Sequence, residues 1–321
     1  GNAALFGSAD IRIATKNSWI GMAGPAMIEG GGLGKFDPKE IGPSDIQKNN
    51  GVIDYVAEDE KEATIIAKKI LSYFQGDIKD WKADDQTQLS NIMPKDRRWS
   101  YPVRDIIKII SDIEEYTEIK PEYGKGIVTC FIRIEGKPFG LLANDSQHLG
   151  GAIDSEGADK ASSFIEMCSE YGLPLISLVD TPGFMVGPDS EKEGAVRRMS
   201  NLFKIGSKVK VPLTAIFLRK GYGLGAQAMV GGSLHEPVYT AAWPTGEFGA
   251  MGLEGAVKLG FKKELEKIED NSKREELFNS LVEKLYDKGK AIEAAAHLEI
   301  DAVINPSETR SVILKSQKAF V

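Results

Sequence analysis

Apolar positions recur along the chain in two rhythms, and these rhythms predict its elements. Ile11–Ala14 alternates and predicts a short strand. Ala57–Phe74 carries Ile66, Ile70 and Phe74 at i, i+4 and i+8, the stripe of an amphipathic helix that Gly76 stops. Residues 77–100 are polar and read as a linker between two units. A helix with Ile106, Ile107, Ile109, Ile110 and Ile113 follows. Gly126–Ile134 and Pro138–Asn144 read as strands, joined by a hairpin turn at Glu135-Gly136-Lys137. Helices are predicted over Ala158–Tyr171 and Glu193–Phe203, and buried strands over Leu175–Val179, Val211–Leu218 and Pro237–Trp243. A long helical stretch, Phe261–Lys288, is interrupted at Asp270-Asn271-Ser272, and Glu299–Ile304 forms a last short strand. Strand alternates with helix, so the class is α/β with parallel strands and crossover helices.

Composition narrows this picture. A chain of 321 residues suggests about two domains. With 42% hydrophobic and 27% charged residues it builds a globular core. Its 40 basic and 47 acidic residues give a net charge of −7, which argues against nucleic acid or an anionic membrane surface as partner. No apolar run is long enough to span a bilayer. Two cysteines, Cys130 and Cys168, read as core residues of a protein in a reducing compartment. The 34 glycines cluster, which points to tight turns and close backbone approaches. The chain begins Gly1-Asn2-Ala3-Ala4 with neither Met nor a signal pattern, and reads as a piece whose beginning is absent.

Two glycine loops stand where an open sheet binds ligands, at the carboxyl ends of strands. The first is Asp180-Thr181-Pro182-Gly183-Phe184, and the second is Arg219-Lys220-Gly221-Tyr222-Gly223-Leu224-Gly225. The second opens into a helix read to start at Ala226-Gln227. A helix N-terminus offers unpaired N–H groups and a positive dipole end, and glycines let an anion approach. The Gly-x-Gly-x-Gly spacing lacks the third glycine of a dinucleotide fingerprint, so a plain turn competes with an anion site. His148, His235 and His297 lack metal-ligand spacing, and no Gly-x-Ser-x-Gly elbow occurs. Asp154, Glu156 and Asp159 suit helix capping, and Asp180 suits a turn. With no base, nucleophile or metal set in view, the pattern favours backbone oxyanion holes and a reactant that brings its own reactive group.

Several motifs in order resemble the carboxyltransferase subunits of biotin-dependent acyl-CoA carboxylases. They are Leu149-Gly150-Gly151-Ala152-Ile153-Asp154 with Ala158-Asp159-Lys160-Ala161, the two glycine loops, Trp243-Pro244-Thr245, and Gly252-Leu253-Glu254-Gly255-Ala256-Val257. Gly1-Asn2-Ala3 and Met22-Ala23-Gly24-Pro25 continue the likeness. The resemblance implies two crotonase-like halves, each a β-β-α superhelix with one oxyanion hole. On that footing residues 1–95 are the tail of the acyl-CoA half and 96–321 the whole carboxybiotin half.

The resemblance also implies the chemistry: a carboxyl group moves from carboxybiotin, carried on a separate domain, to the α-carbon of an acyl-CoA. Negative charge develops on the thioester oxygen and the ureido oxygen. Gly1 and Asn2 match the thioester hole and Leu224 and Gly225 the biotin hole. Gly183, Phe184, Tyr222, Gly223 and Ala226 match the surrounding cofactor site. The family pattern has Gly-Gly-Ala after the tyrosine, whereas this chain has Gly223-Leu224-Gly225, which leaves the donors open by one residue. Gln227 falls in the region that influences acyl-chain choice. The implied partners are biotin carboxylase, a biotin carrier and further copies of the chain, as a hexamer, with no metal. The implied place is the cytoplasm, or the mitochondrial matrix if a leader has been lost. Alternatives are the carboxyltransferase subunit of a biotin-dependent decarboxylase and a non-catalytic binding subunit. A hydratase would need paired carboxylates, for which Glu247 and Glu254 are the candidates, read here as surface charges.

Overall fold

A computed structural model describes residues 2–318. Ten strands are present among them: β1 Ile13–Thr15, β2 Tyr55–Ala57, β3 Tyr116–Ile119, β4 Ile127–Ile134, β5 Lys137–Asn144, β6 Leu175–Thr181, β7 Leu213–Tyr222, β8 Tyr239–Ala242, β9 Glu247–Gly249 and β10 Ala302–Val303. β1 and β2 form a small parallel sheet. The others form an eight-stranded sheet in the order β10-β8-β7-β6-β5-β4-β3, with β9 paired to the far end of β7. β3, β4 and β5 are antiparallel, and β5 through β8 and β10 are parallel. The fold is α/β, as the alternation predicts.

The main sheet is buried on both faces, which is why its strands read as continuous apolar runs. Along β4, Ile127 and Phe131 face one core, while Val128, Cys130, Ile132 and Ile134 face the other. β7 does the same, with Leu213, Ala215 and Phe217 against Ile216 and Leu218. The first core is closed by the helices Ser155–Glu170, Ala195–Gly206 and Gly223–Met229. The second is closed by Val103–Ile110 and Thr309–Lys318. Helix Val103–Ile110 buries Val103, Ile106, Ile107 and Ile110, an i, i+3, i+4, i+7 stripe worth roughly 1.5–3 kcal/mol per side chain. It ends at Ser111, so Ile113 lies beyond it and is half exposed.

Several expectations are corrected. The stretch 77–100 is not a free linker: Leu89 is fully buried in the second core, and Arg133 ties Ser72 and Gly76 to the hairpin below. The break in the helical stretch after residue 260 falls where the sequence predicts it: the stretch divides into Lys262–Glu266 and Asn271–Gly289, with Asp270 capping the second through Ser272 and Lys273. The helix of the second glycine loop begins at Gly223, not Ala226, because β7 runs on to Tyr222 and Gly223 turns the chain at φ +59°.

Candidate active site

β6 and β7 are parallel neighbours, so their carboxyl ends put the two glycine loops side by side. The register slips between Val179 and Thr181, and this bulge places Asp180 inside. Its carboxylate is fully buried and accepts from Arg219 Nη2 at 2.9 Å, Arg219 Nε at 3.3 Å and the Lys220 backbone N–H at 3.0 Å. Asp180 is therefore a scaffold group that locks one loop to the other, as its turn position suggested. Arg219 carries the link onward: Nη1 donates to the backbone oxygens of Arg97 (2.8 Å) and Trp99 (2.6 Å), and its guanidinium lies 4.9 Å from the Tyr101 ring centroid. The Lys220 ammonium holds the carbonyl of Gly150, and burial pushes its pKa down.

Beyond Asp180 the first loop turns at Gly183, whose φ of +121° suits glycine. The Gly183 N–H donates to Thr181 Oγ1 and its carbonyl accepts from Ile153. The Phe184 N–H finds no acceptor among the described residues. The second loop enters helix Gly223–Met229 with Leu224 and Gly225 in its first turn, where N–H groups lack an acceptor inside the helix. No side chain caps this helix. A Cβ on Gly225 would stand 2.6 Å from the Gly183 carbonyl carbon and 2.9 Å from the Phe184 nitrogen. Only glycine allows the helix N-terminus to press against the 183–184 backbone in this way.

Of the residues singled out in the sequence, Gly183, Phe184, Leu224 and Gly225 thus come together through backbone. Leu224 points its side chain to solvent, at 62% exposure, so what it offers is its peptide group. Gly223, Ala226 and the exposed Gln227 line an adjoining cleft of about 440 Å³, floored by Gly221 and Phe248. Tyr222 is buried beneath the turn with its ring against Gly249, so its side chain supports the loop from below. Gly1 lies outside the described residues. Asn2 opens helix Asn2–Gly7 and lines a separate cavity with Phe6, Trp19 and Met22, which shares no lining residue with the cleft.

Sequence reasoning missed two groups. Glu247, read as a surface charge, is 1% exposed on β9. Burial pushes its pKa up, and neither carboxylate oxygen has a hydrogen-bond partner among the described residues. Arg97, from the polar stretch, lies with Nη1 3.5 Å from Glu247 and donates through Nη2 to Glu254 at 2.7 Å. Both candidate hydratase carboxylates are therefore bound to one guanidinium. The glycines that flank it in the sequence, Gly246 and Gly249, were the available signal. Cys130 and Cys168 are buried and unpaired, as core residues. His148 lies 3.6 Å from Asp154, which caps helix Ser155–Glu170 through the Gly157 N–H. No group of three or more metal-ligating side chains occurs among the described residues, and no helix there is long and apolar enough to cross a membrane.

Known proteins fit this architecture. Residues 2–321 match the model of the carboxyl transferase domain. The chain is 32% identical to the methylmalonyl-CoA carboxyltransferase 12S subunit of Propionibacterium freudenreichii subsp. shermanii, over 97% of this chain and 60% of that one. It is 28% identical to the methylmalonyl-CoA decarboxylase subunit alpha of Veillonella parvula, over 95% and 60%. A solved single-chain, multi-domain long-chain acyl-CoA carboxylase superposes with a TM-score of 0.92 at 51% identity, over 98% of this chain and 31% of that one. The chain thus spans about 60% of the length of these curated relatives. It belongs to the carboxyl transferase domain family.

Proposed function

We propose that this chain is the carboxyltransferase component of a biotin-dependent acyl-CoA carboxylase, with residues 96–321 forming the crotonase-like half that receives carboxybiotin. The observation that carries the reading is the meeting of the unpaired Phe184 N–H with the uncapped helix turn at Leu224–Gly225. Carboxybiotin, when bound, supplies the carboxyl group and leaves a ureido nitrogen able to take the α-proton of the acyl-CoA. This chain's part is electrostatic. The peptide N–H groups of Leu224 and Gly225, with that of Phe184, face developing negative charge, and one such donor is worth about 10²–10³ in rate. Gly225 keeps the cradle free of a side chain, and Gly183 and Gly223 give the backbone its two turns. Gln227, which lines the cleft, is assigned to the acyl portion on the resemblance. Asn2, with Gly1, is assigned to the thioester hole of the 1–95 half on the resemblance alone. The reading brings with it biotin carboxylase and a biotin carrier as partners, a homohexamer, and a reducing compartment, the cytoplasm or the mitochondrial matrix.

A second reading, a decarboxylase subunit running related chemistry in reverse, is favoured by the Veillonella relative's name. The test is decarboxylation of malonyl-CoA and methylmalonyl-CoA by the intact protein that carries this chain, with and without free biotin. Turnover that requires biotin is expected. A folded protein inert toward both, with biotin present, would overturn the carboxyltransferase reading in favour of a binding subunit. Carboxyl transfer to a carrier-bound biotin whose carboxybiotin then loses CO2 only alongside membrane partner subunits would favour the decarboxylase.

A further inference from the structure

A buried carboxylate with no hydrogen bond lies directly under the proposed donor turn. Glu247 begins β9, which zips onto the end of β7 in the register Lys220–Glu247, Gly221–Phe248 and Tyr222–Gly249. These three residues of β7 deliver the chain into Gly223, Leu224 and Gly225. The packing at this zip is tight: a Cβ on Gly221 would stand 2.7 Å from the Phe217 ring, and one on Gly249 3.3 Å from the Tyr222 ring. The direction in which β7 exits therefore depends on where β9 lies.

One side chain holds β9 from outside the sheet. Arg97 pairs with Glu247 at 3.5 Å and Glu254 at 2.7 Å, and its guanidinium lies 5.4 Å from the Tyr286 ring centroid. Its own backbone oxygen accepts from Arg219, the partner of Asp180 in the first loop. Arg97 thus touches the second glycine loop through its peptide, at Arg219, and β9 through its charge, at Glu247. The Tyr222 hydroxyl faces the Glu247 carboxylate, and both are buried without a close hydrogen-bond partner. A buried carboxylate is tolerated when a cation faces it and is costly when that cation goes.

We infer that Arg97 is a positioning residue: by neutralising Glu247 it fixes β9 against β7 and so holds the turn that presents the Leu224 and Gly225 N–H groups. The inference deepens the proposed function and rests on it. The charged and titratable groups around Glu247 are Arg97 from the polar stretch, Tyr222, Arg219 and Lys220 from β7, Asp180 from β6, and Lys290. Arg219 and Lys220 are committed to Asp180 and Gly150, and the Lys290 ammonium pairs with Asp287 at 2.6 Å. The remaining cation beside Glu247 is Arg97, whose guanidinium Glu254 shares through its other nitrogen.

The test compares Arg97→Met, Glu247→Gln and the double variant in the biotin-dependent reaction of the intact protein. Arg97→Met should lower kcat about tenfold and leave KM for the acyl-CoA within about threefold. Its deficit should grow as pH rises, because the unpaired Glu247 then ionises, and shrink toward acid, where Glu247 is protonated. Glu247→Gln in the Arg97→Met background should restore most of the loss and abolish that pH dependence. If Arg97→Met fails to fold but the double variant folds, the charge coupling is supported by the same logic. The inference is overturned if Arg97→Met matches wild type at every pH, if the double variant is no better than Arg97→Met, or if neither variant folds. A wild-type protein without biotin-dependent turnover would instead sink the functional reading itself, leaving the double-variant comparison to be read by folding stability.

Discussion

Two buried carboxylates flank the second glycine loop, and the fold treats them in opposite ways. Asp180 accepts three hydrogen bonds from Arg219 and Lys220, with both carboxylate oxygens engaged. Glu247 is as deeply buried, receives no hydrogen bond and faces a guanidinium at 3.5 Å. The contrast teaches that burial alone does not define a role. A satisfied carboxylate is a bolt between strands, while an unsatisfied one depends on its surroundings and so can transmit a change in them. The bolt sits between the two loops, and the sensitive group sits beneath the turn.

The comparison can be broken by removing each member in turn. Asp180→Ala should cost about 3–5 kcal/mol in denaturant unfolding, since it leaves Arg219 buried and unpaired. A loss under about 1 kcal/mol would show that the bolt does not hold. A buried cation remote from the loops provides the control. Lys160, on helix Ser155–Glu170, donates to the Lys120 carbonyl, and burial lowers its pKa to about 7. A lowered amine means that the unfolded chain binds more protons than the folded one between pH 7 and the ordinary lysine range. Stability should therefore rise with pH across that window, by up to about 1.4 kcal/mol per pH unit, and Lys160→Met should remove the slope.

Glu247→Gln should have the smallest effect. Its carboxyl is raised by burial, so its stabilising contribution is complete below the unfolded glutamate value of 4.5 and is lost as pH rises through the folded value. At neutral pH the substitution should leave stability unchanged or raise it by about 1 kcal/mol, and it should flatten the decline above pH 4.5 in a series of melting temperatures. A clear loss at neutral pH would mean that Glu247 is bonded in the way Asp180 is, and the contrast would fail.

The sequence made the buried strands legible because β4, β6 and β7 are apolar on both faces, and it placed the glycine loops at their ends. It did not reveal β9, whose three residues open with a glutamate that reads as surface until its neighbours are known. β3 and β2 were hidden by the same shortness. The helix Thr309–Lys318 was missed because its buried face mixes Thr309, Arg310, Ile313 and Ser316. The two glycine loops that carry residues 183, 184, 224 and 225 were legible from glycine and position at the strand ends, whereas the role proposed for those four residues came from the resemblance. Arg97 was not, because its stretch is polar and its partners lie about 150 residues on, at Glu247 and Glu254, a pairing that only the three-dimensional fold specifies.

The proposal that this site works through peptide groups held at glycine contacts is tested by two neighbouring substitutions. Leu224→Ala trims an exposed side chain and keeps the peptide. Gly225→Val puts a side chain into the 183–184 backbone. In biotin-dependent decarboxylation of a carboxyacyl-CoA, Leu224→Ala should stay within about threefold of wild type. Gly225→Val should fall by at least about 100-fold while the far-ultraviolet spectrum is unchanged. Equal activities for the two variants, or a larger loss from Leu224→Ala, would contradict it.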